Sequence, residues 1–503
     1  MATPQATEQY FQRLSHKSLH PDAVGILGKT EFRVSAIGFG GYRIHHNSVE
    51  HARALRYALL NGINLIDTSS NYTDGGSEML VGNLLQEMFE RGEVARDEVV
   101  VVSKVGYVQG QNLTLARQLE ARDQPFPEMV PYLDDCWHCI HPDFLQDQLT
   151  RSLDRLRLPS LDVYLLHNPE YFLSDARKRG SMDAEAARDA YYRRIKHAFE
   201  WLEEKVQEGK IKAYGISSNT FPASERDFEF TSLEKLLQIA ASVSPQPYFQ
   251  VIQFPFNLFE IGAHAERNQS DGTKTLLQLA AENRVATLAN RPLNAMANGG
   301  MIRLASFRES DEQQIRSDFS RQIQELRVLE QKFKQELIAK APADMPRGNL
   351  QTVFSVAQHL AKALVDFENW EHWDHVKQNY VLPQSLAYLS YLNRQLSEDR
   401  SWQAWYDAYV HALHRFLDTV SKHYENQAQA RSNAFAQKLD NLNDALRSSE
   451  TLSQKALRIL TSTDGIDCVL LGMRKTPYVE DALSALGEPS LSQVATTLQQ
   501  FSK

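Results

Sequence analysis

At 503 residues the chain is too long for one small core, so two or three domains, or one large α/β barrel with an addition, are expected. Hydrophobic residues make up 42% and charged residues 23%, a balance that excludes a disordered or fibrous chain. The net charge of −9 gives no overall positive field for a polyanion, which argues against nucleic acid as a partner.

Residues 1–20 are polar and charged with no apolar central run, unlike a secretory or transit segment. Strand-sized apolar runs then recur at 34–39, 64–67, 99–104, 161–167, 211–217, 249–254, 285–289 and 467–471, and helix-period segments alternate with them. This α/β alternation predicts a parallel sheet, and eight strands are the number that closes a (β/α)8 TIM barrel. Between the third and fourth runs, Leu145, Leu149, Leu153 and Leu156 form one helical stripe, opened by Pro142 with Asp143 in the first turn. A doubly wound dinucleotide fold is the rival. Gly38 and Gly40 follow its fingerprint, but Arg43 stands where the third glycine belongs.

Between the seventh and eighth runs the period changes. Ile315, Phe319, Ile323, Leu326, Phe333 and Leu337 describe one apolar helical stripe, followed by aromatic-rich segments at 367–373 and 402–409. The reading is an all-helical insertion over 300–450, with 1–299 and 451–503 forming the barrel. No apolar run approaches the ~20 residues that span a bilayer, so no membrane association is expected. Cys136, Cys139 and Cys468 are too few for a disulfide framework in a chain this long, which favours a reducing, cytoplasmic setting.

Each expected strand end carries polar groups, and in a barrel those ends converge on one site. Asp67 ends the second strand with Tyr72 close behind; Lys104, His167, and Ser217 with Ser218 end the third, fourth and fifth. Taken singly, each has an ordinary structural use as a turn cap, a half-buried loop residue, a snorkelling lysine or a core histidine. In this order, and at successive strand ends, they form a catalytic constellation.

The segments GFGGYRI at Gly38, NGINLIDTSSNY ending at Tyr72, GSEMLVGNLL from Gly76, VVSKVG around Lys104 and LDVYLLHNPE around His167 resemble the aldo-keto reductase family. KAYGISSN, the strand carrying Gln253, ANRPL and VLLGMRK continue the match over roughly 28–294 and 451–483. The resemblance implies an NAD(P)H-dependent reductase that converts aldehydes or ketones to alcohols. Tyr72 would be the general acid, Lys104 and Asp67 would tune it, and His167 would orient the carbonyl. Hydride reduction builds charge on the carbonyl oxygen, so a proton donor must sit beside it. A phenol with a pKa near 10 would be brought down by a neighbouring ammonium.

The resemblance also implies cofactor contacts from Gly41, Tyr42, Asp67, Ser217, Ser218, Gln253, Arg291, Pro292, Leu293, Gly472, Arg474 and Lys475. Ser217, Ser218 and Gln253 would meet the carboxamide, with Asn219 a rival for the serine role, and Pro292 and Leu293 would pass beside the pyrophosphate. Arg474 and Lys475 favour NADPH, because arginine grips a phosphate through paired hydrogen bonds. Two positions depart from the pattern. Asn290 and Arg291 precede Pro292, where many members carry an aromatic residue that stacks on the nicotinamide, and Tyr478 stands where NADPH-preferring members often carry arginine. NADH is therefore the alternative cofactor.

The motif CWHCIH, with Cys136, His138, Cys139 and His141, reads as a loop segment at the active-site face; a redox pair and a metal half-site are its other readings, and no metal is assigned. The rival functional reading is a cofactor-sensing regulatory or interaction module that uses the helical insertion. Negligible turnover of test carbonyls by a cofactor-binding chain would favour it. A small-molecule carbonyl is the expected partner, with oligomerisation left open.

Overall fold

Alternation within each strand decides which side chains fill the barrel and which meet the surrounding helices. The computed structural model describes residues 1–14, 19–297, 300–343, 345–447 and 449–502. Strands β1 (Ile37–Gly40), β2 (Leu65–Asp67), β3 (Val100–Val105), β4 (Leu161–His167), β5 (Ile211–Ser217), β6 (Phe249–Pro255), β7 (Ala286–Asn290) and β8 (Cys468–Leu471) form the expected closed barrel. Each pairs in parallel with the next, and β8 pairs with β1.

One inward layer is apolar: Leu65, Val100 and Val102, Val163 and Leu165, Val251, Ala286 and Leu288, and Cys468 and Leu470 pack as a single buried cluster. Water-free packing of this layer is the main stabilising term for the barrel. Continuing the same alternation by two residues reaches Asp67, Lys104, His167, Gln253 and Asn290. The polar groups thus project from the same strand faces as the apolar core, one step nearer the C-terminal rim.

The run at 34–39 is not one strand. Arg33–Ser35 pairs antiparallel with Val24–Ile26, and the barrel strand starts only at Ile37. Ser35 Oγ donates to Ile37 O at 2.7 Å, and Ala36 N donates to Ala23 O, so the chain changes partner at Ala36. The helix Pro142–Leu156 begins as expected, with His141 Nδ1 accepting from Asp143 N at its start.

Residues 1–300 and 439–503 form one compact unit and 301–438 a second. The expected barrel end at residue 299 and the chain's last residue, 503, lie outside the described residues. In the second unit Ile323, Leu326, Phe333 and Leu337 pack with Trp373, Trp402, Trp405 and Tyr409. The Trp405 and Tyr409 rings stack at 4.8 Å, and Trp405 Nε1 donates to Leu329 O. The aromatic segments therefore serve as core. Gly300–Arg303 is a short strand, so the stretch read as wholly helical begins extended. No helix among the described residues is long and apolar enough to cross a membrane.

Candidate active site

Lys104 is fully buried, and its ammonium donates to both carboxylate oxygens of Asp67 at 2.7 Å and to Thr68 O at 2.9 Å. A lone buried charge would be very costly, whereas this pair satisfies itself within the barrel mouth. Burial pushes the Lys104 pKa down and Asp67 pulls it back up.

Tyr72 follows in the loop after β2. Thr73 and Asp74, at φ +50 and +55, hold the left-handed region before the helix Gly76–Glu90, a costly conformation for side-chain-bearing residues. Thr73 Oγ1 donates to Ile44 O, and Asp74 Oδ1 accepts from Gln111 N, tying the turn to a neighbouring loop and to the first turn of the helix Gly110–Glu120. The Tyr72 ring is 9% exposed; the Lys104 ammonium lies 4.7 Å from its centroid, and the His167 ring meets it edge-on at 5.9 Å. Its hydroxyl has no hydrogen-bond partner among the described residues.

In this structure the lowering of the phenol's pKa expected from Lys104 is outweighed. Burial, and then the Asp67 carboxylate, push the phenol well above its ordinary value. The ammonium's charge is largely offset by the carboxylate it already pairs with, so Tyr72 stays protonated.

His167 is held on several sides. Its Nδ1 lies 3.2 Å from Ser69 Oγ, its carbonyl receives His138 Nε2 at 2.7 Å, and the Tyr107 ring meets it edge-on at 4.7 Å. Gly106 makes the His138 contact sterically possible: at φ +152, a methyl there would sit 2.5 Å from His138 Nε2 and 2.7 Å from His167 O. Burial, followed by the Lys104 charge, drives the His167 pKa well below its usual range, and burial brings His138 to about 4. Both rings are neutral at pH 7, and the second ring nitrogen of His167 has no partner among the described residues.

Gln253 joins the centre to the neighbouring strands. Its Nε2 donates to Asp67 Oδ1 at 2.8 Å, while its Oε1 accepts from Ser217 Oγ at 3.1 Å and from Asn290 Nδ2 at 3.3 Å. The Ser218 hydroxyl instead lies among those of Thr220 and Thr231. Ser217 is therefore the serine joined to this network.

The other expected cofactor residues lie around the rim. Tyr42 is 60% exposed and stands edge-on to Tyr72 at 5.1 Å. Gly41 is needed where it stands, because a methyl would lie 2.7 Å from Ser77 Oγ and 2.9 Å from Asp67 O. Arg291, at φ +55, pairs with Glu260 at 2.8 Å, so its guanidinium is already engaged; Pro292 is buried and Leu293 half-buried beside it. The β8 exit adjoins the β1 exit, since a methyl on Gly40 would lie 3.1 Å from Leu471 O. Gly472 and Lys475 are exposed and Arg474 half-buried, and neither basic side chain makes an ion pair among the described residues.

Sequence reasoning passed over Ser69, His138 as a support for His167, and Tyr107. Tyr107 was the findable one, an aromatic residue three positions after Lys104 at a strand exit. Cys136 and Cys139 are free and buried, and burial raises both thiols, Cys139 to about 12, so neither is a ready thiolate. No group of three or more metal-ligating side chains is placed to hold an ion among the described residues.

Glu170, also unforeseen, is 4% exposed. Its Oε1 accepts from Asn219 N at 2.8 Å, its Oε2 has no partner among the described residues, and burial raises its pKa to about 7. A carboxyl raised from 4.5 stabilises the fold fully below that value, and the contribution is lost as pH rises through about 7. Wild-type stability should therefore fall across that window by up to about 3 kcal/mol, and Glu170→Gln should flatten the fall. Thermal melts at the two ends of the window read this directly; parallel curves for the two proteins would remove Glu170 as the cause.

The profile described as the Aldo/keto reductase family matches residues 36–339, more than half of the chain. A putative voltage-gated potassium channel subunit beta of Schizosaccharomyces pombe is 30% identical over 148 residues, covering 29% of this chain and 36% of that protein. An NADH-specific methylglyoxal reductase of Escherichia coli is 25% identical over 203 residues, covering 38% and 51%. The chain thus spans between about a third and about half of the length of these two relatives. The solved holo form of an aldo-keto reductase from Bacillus halodurans, AKR11C1, is 15% identical with a TM-score of 0.47, covering 95% of this chain and 96% of that one.

Proposed function

The chain belongs to the aldo/keto reductase family, and from that premise we propose that it is an NAD(P)H-dependent oxidoreductase reducing aldehyde or ketone carbonyls to alcohols, with Tyr72 as general acid. The observation that carries this reading is the pairing of two uncommitted groups, the Tyr72 hydroxyl and the second ring nitrogen of His167, beside the buried Lys104–Asp67 pair.

A carbonyl oxygen entering between these groups meets a protonated phenol on one side and a neutral imidazole on the other. Tyr72 gives up its proton as charge develops on that oxygen, and the Lys104 ammonium beside its ring stabilises the phenolate left behind. Asp67 keeps the ammonium in place, and Ser69 fixes the imidazole so that it orients the carbonyl. Tyr107 and Tyr42 flank the site with aromatic surface that sheds water on binding.

The bound nicotinamide cofactor would supply the hydride. The residues present fit such a group: Ser217 and Gln253 for the carboxamide, Pro292 and Leu293 beside the pyrophosphate, and Arg474 and Lys475, without carboxylate partners among the described residues, for a 2′-phosphate. Gly472 leaves its surroundings open, since a methyl on its Cα would meet nothing within 4 Å. A small-molecule carbonyl is the proposed partner, and the three free cysteines suit a cytoplasmic setting.

The test is oxidation of NADPH and NADH in the presence of aldehydes, ketones and sugars, measured on the full chain. Absence of any carbonyl-dependent oxidation despite cofactor binding would sink the reading. Replacing both Arg474 and Lys475 with Ala should weaken NADPH binding about tenfold or more and NADH binding little, since only NADPH offers a phosphate to the basic pair. Equal losses for the two cofactors would remove these residues from phosphate selection.

A further inference from the structure

Polar side chains at the ends of five strands form a chain whose hydrogen-bond directions are all set by one buried ion pair. The Lys104 ammonium fixes Asp67 as an ionised acceptor. Gln253 lies 2.8 Å from Asp67 Oδ1 and must turn its NH2 toward that oxygen, because its own oxygen would be repelled there. Its Oε1 then faces the other way and accepts from Ser217 Oγ and from Asn290. Asn290, in turn, must present its NH2 to Gln253, which leaves Asn290 Oδ1 at the end of the chain. That oxygen is buried and has no partner among the described residues. Buried acceptors are rarely left unsatisfied, and the direction of this one is dictated by a charge three side chains away.

We propose that Asn290 is a cofactor-binding residue, its Oδ1 accepting a hydrogen bond from an N–H of the nicotinamide carboxamide. The proposal rests on the reading of the chain as an NAD(P)H-dependent reductase. Three observations support it. First, Asn290 continues the inward alternation of Ala286 and Leu288, so its side chain stands on the strand face that fills the barrel. Second, the unsatisfied atom is an acceptor, which suits a donor and repels a substrate carbonyl. Third, Asn290 bonds to the same Gln253 oxygen as Ser217, so a group meeting Ser217 and Gln253 lies within reach of it. A carboxamide has two N–H donors and one acceptor, which matches a pocket containing both kinds of group.

The experiment compares NADP+ with its 3-acetylpyridine analogue, whose methyl ketone replaces the carboxamide and carries no N–H. Binding to the full-length protein is read by calorimetric titration, without turnover. The wild type should bind NADP+ about tenfold more tightly than the analogue. Asn290→Ala should weaken NADP+ and leave the analogue nearly unchanged, shrinking that ratio at least about threefold. Should the alanine variant fail to fold, Asn290→Leu, near in size and without polar atoms, carries the same comparison. A ratio unchanged by the substitution, or a wild type that does not discriminate, overturns the role given to Asn290 while leaving the reductase reading intact. Failure of the wild type to bind NADP+, NADPH or NADH would instead overturn that underlying reading.

Discussion

Tyr72→Phe should bind cofactor as the parent does and lose carbonyl reduction by at least about two orders of magnitude, the scale expected for a positioned proton donor. The substitution removes one hydroxyl that has no partner among the described residues, so no buried group is orphaned. The ring contacts with Tyr42, His167 and the Lys104 ammonium all remain available to phenylalanine. Stability should therefore change little, and the loss should fall on kcat. Steady-state rates beside cofactor titrations separate these effects. Near-normal turnover would take Tyr72 out of the acid role, and a parallel loss of cofactor binding would make it a packing residue.

The barrel and the alignment of its polar groups were legible because both obey one period. Val100, Val102 and Lys104 alternate along β3, as do Val163, Leu165 and His167 along β4. A reader who places the valines and leucines inside has placed the lysine and histidine inside as well. The motifs then add order along the chain. The helical insertion was legible through its 3.6-residue stripe, and four of its six stripe residues lie in one buried cluster with four tryptophans.

What stayed hidden depended on distances between segments remote in sequence. Nothing in the residues near Tyr72 indicates that Asp67 offsets the Lys104 charge and leaves the phenol's pKa raised. That is set by two contacts of 2.7 Å and by burial. The break at Ala36 was hidden for a similar reason: residues 34–39 are uniformly apolar or small, and only pairing with Val24–Ile26 divides them. Ser217 and Ser218 are adjacent and chemically equal, so their separation into a Gln253 partner and a threonine-bound hydroxyl could come only from the fold.

Lys104→Met should have the largest effect on stability. The side chain is fully buried, and its removal leaves the Asp67 carboxylate inside the barrel with, among the described residues, only the Gln253 amide bonded to it. Removing one member of a buried ion pair costs about 3–5 kcal/mol, because the remaining charge keeps its desolvation penalty. Adding Asp67→Asn to the same chain removes that charge and keeps an oxygen for Gln253, so the double variant should recover most of the lost stability. Turnover should stay low in both, since neither has an ammonium beside the phenolate that Tyr72 becomes. Hydrogen exchange in β2 and β3 at increasing urea reads the barrel separately from the helical unit, and steady-state rates complete the comparison. A single variant as stable as the parent would show that the pair is not held as buried ions. A double variant that regains turnover would show that the ammonium stabilises the barrel alone and takes no part in the proton transfer.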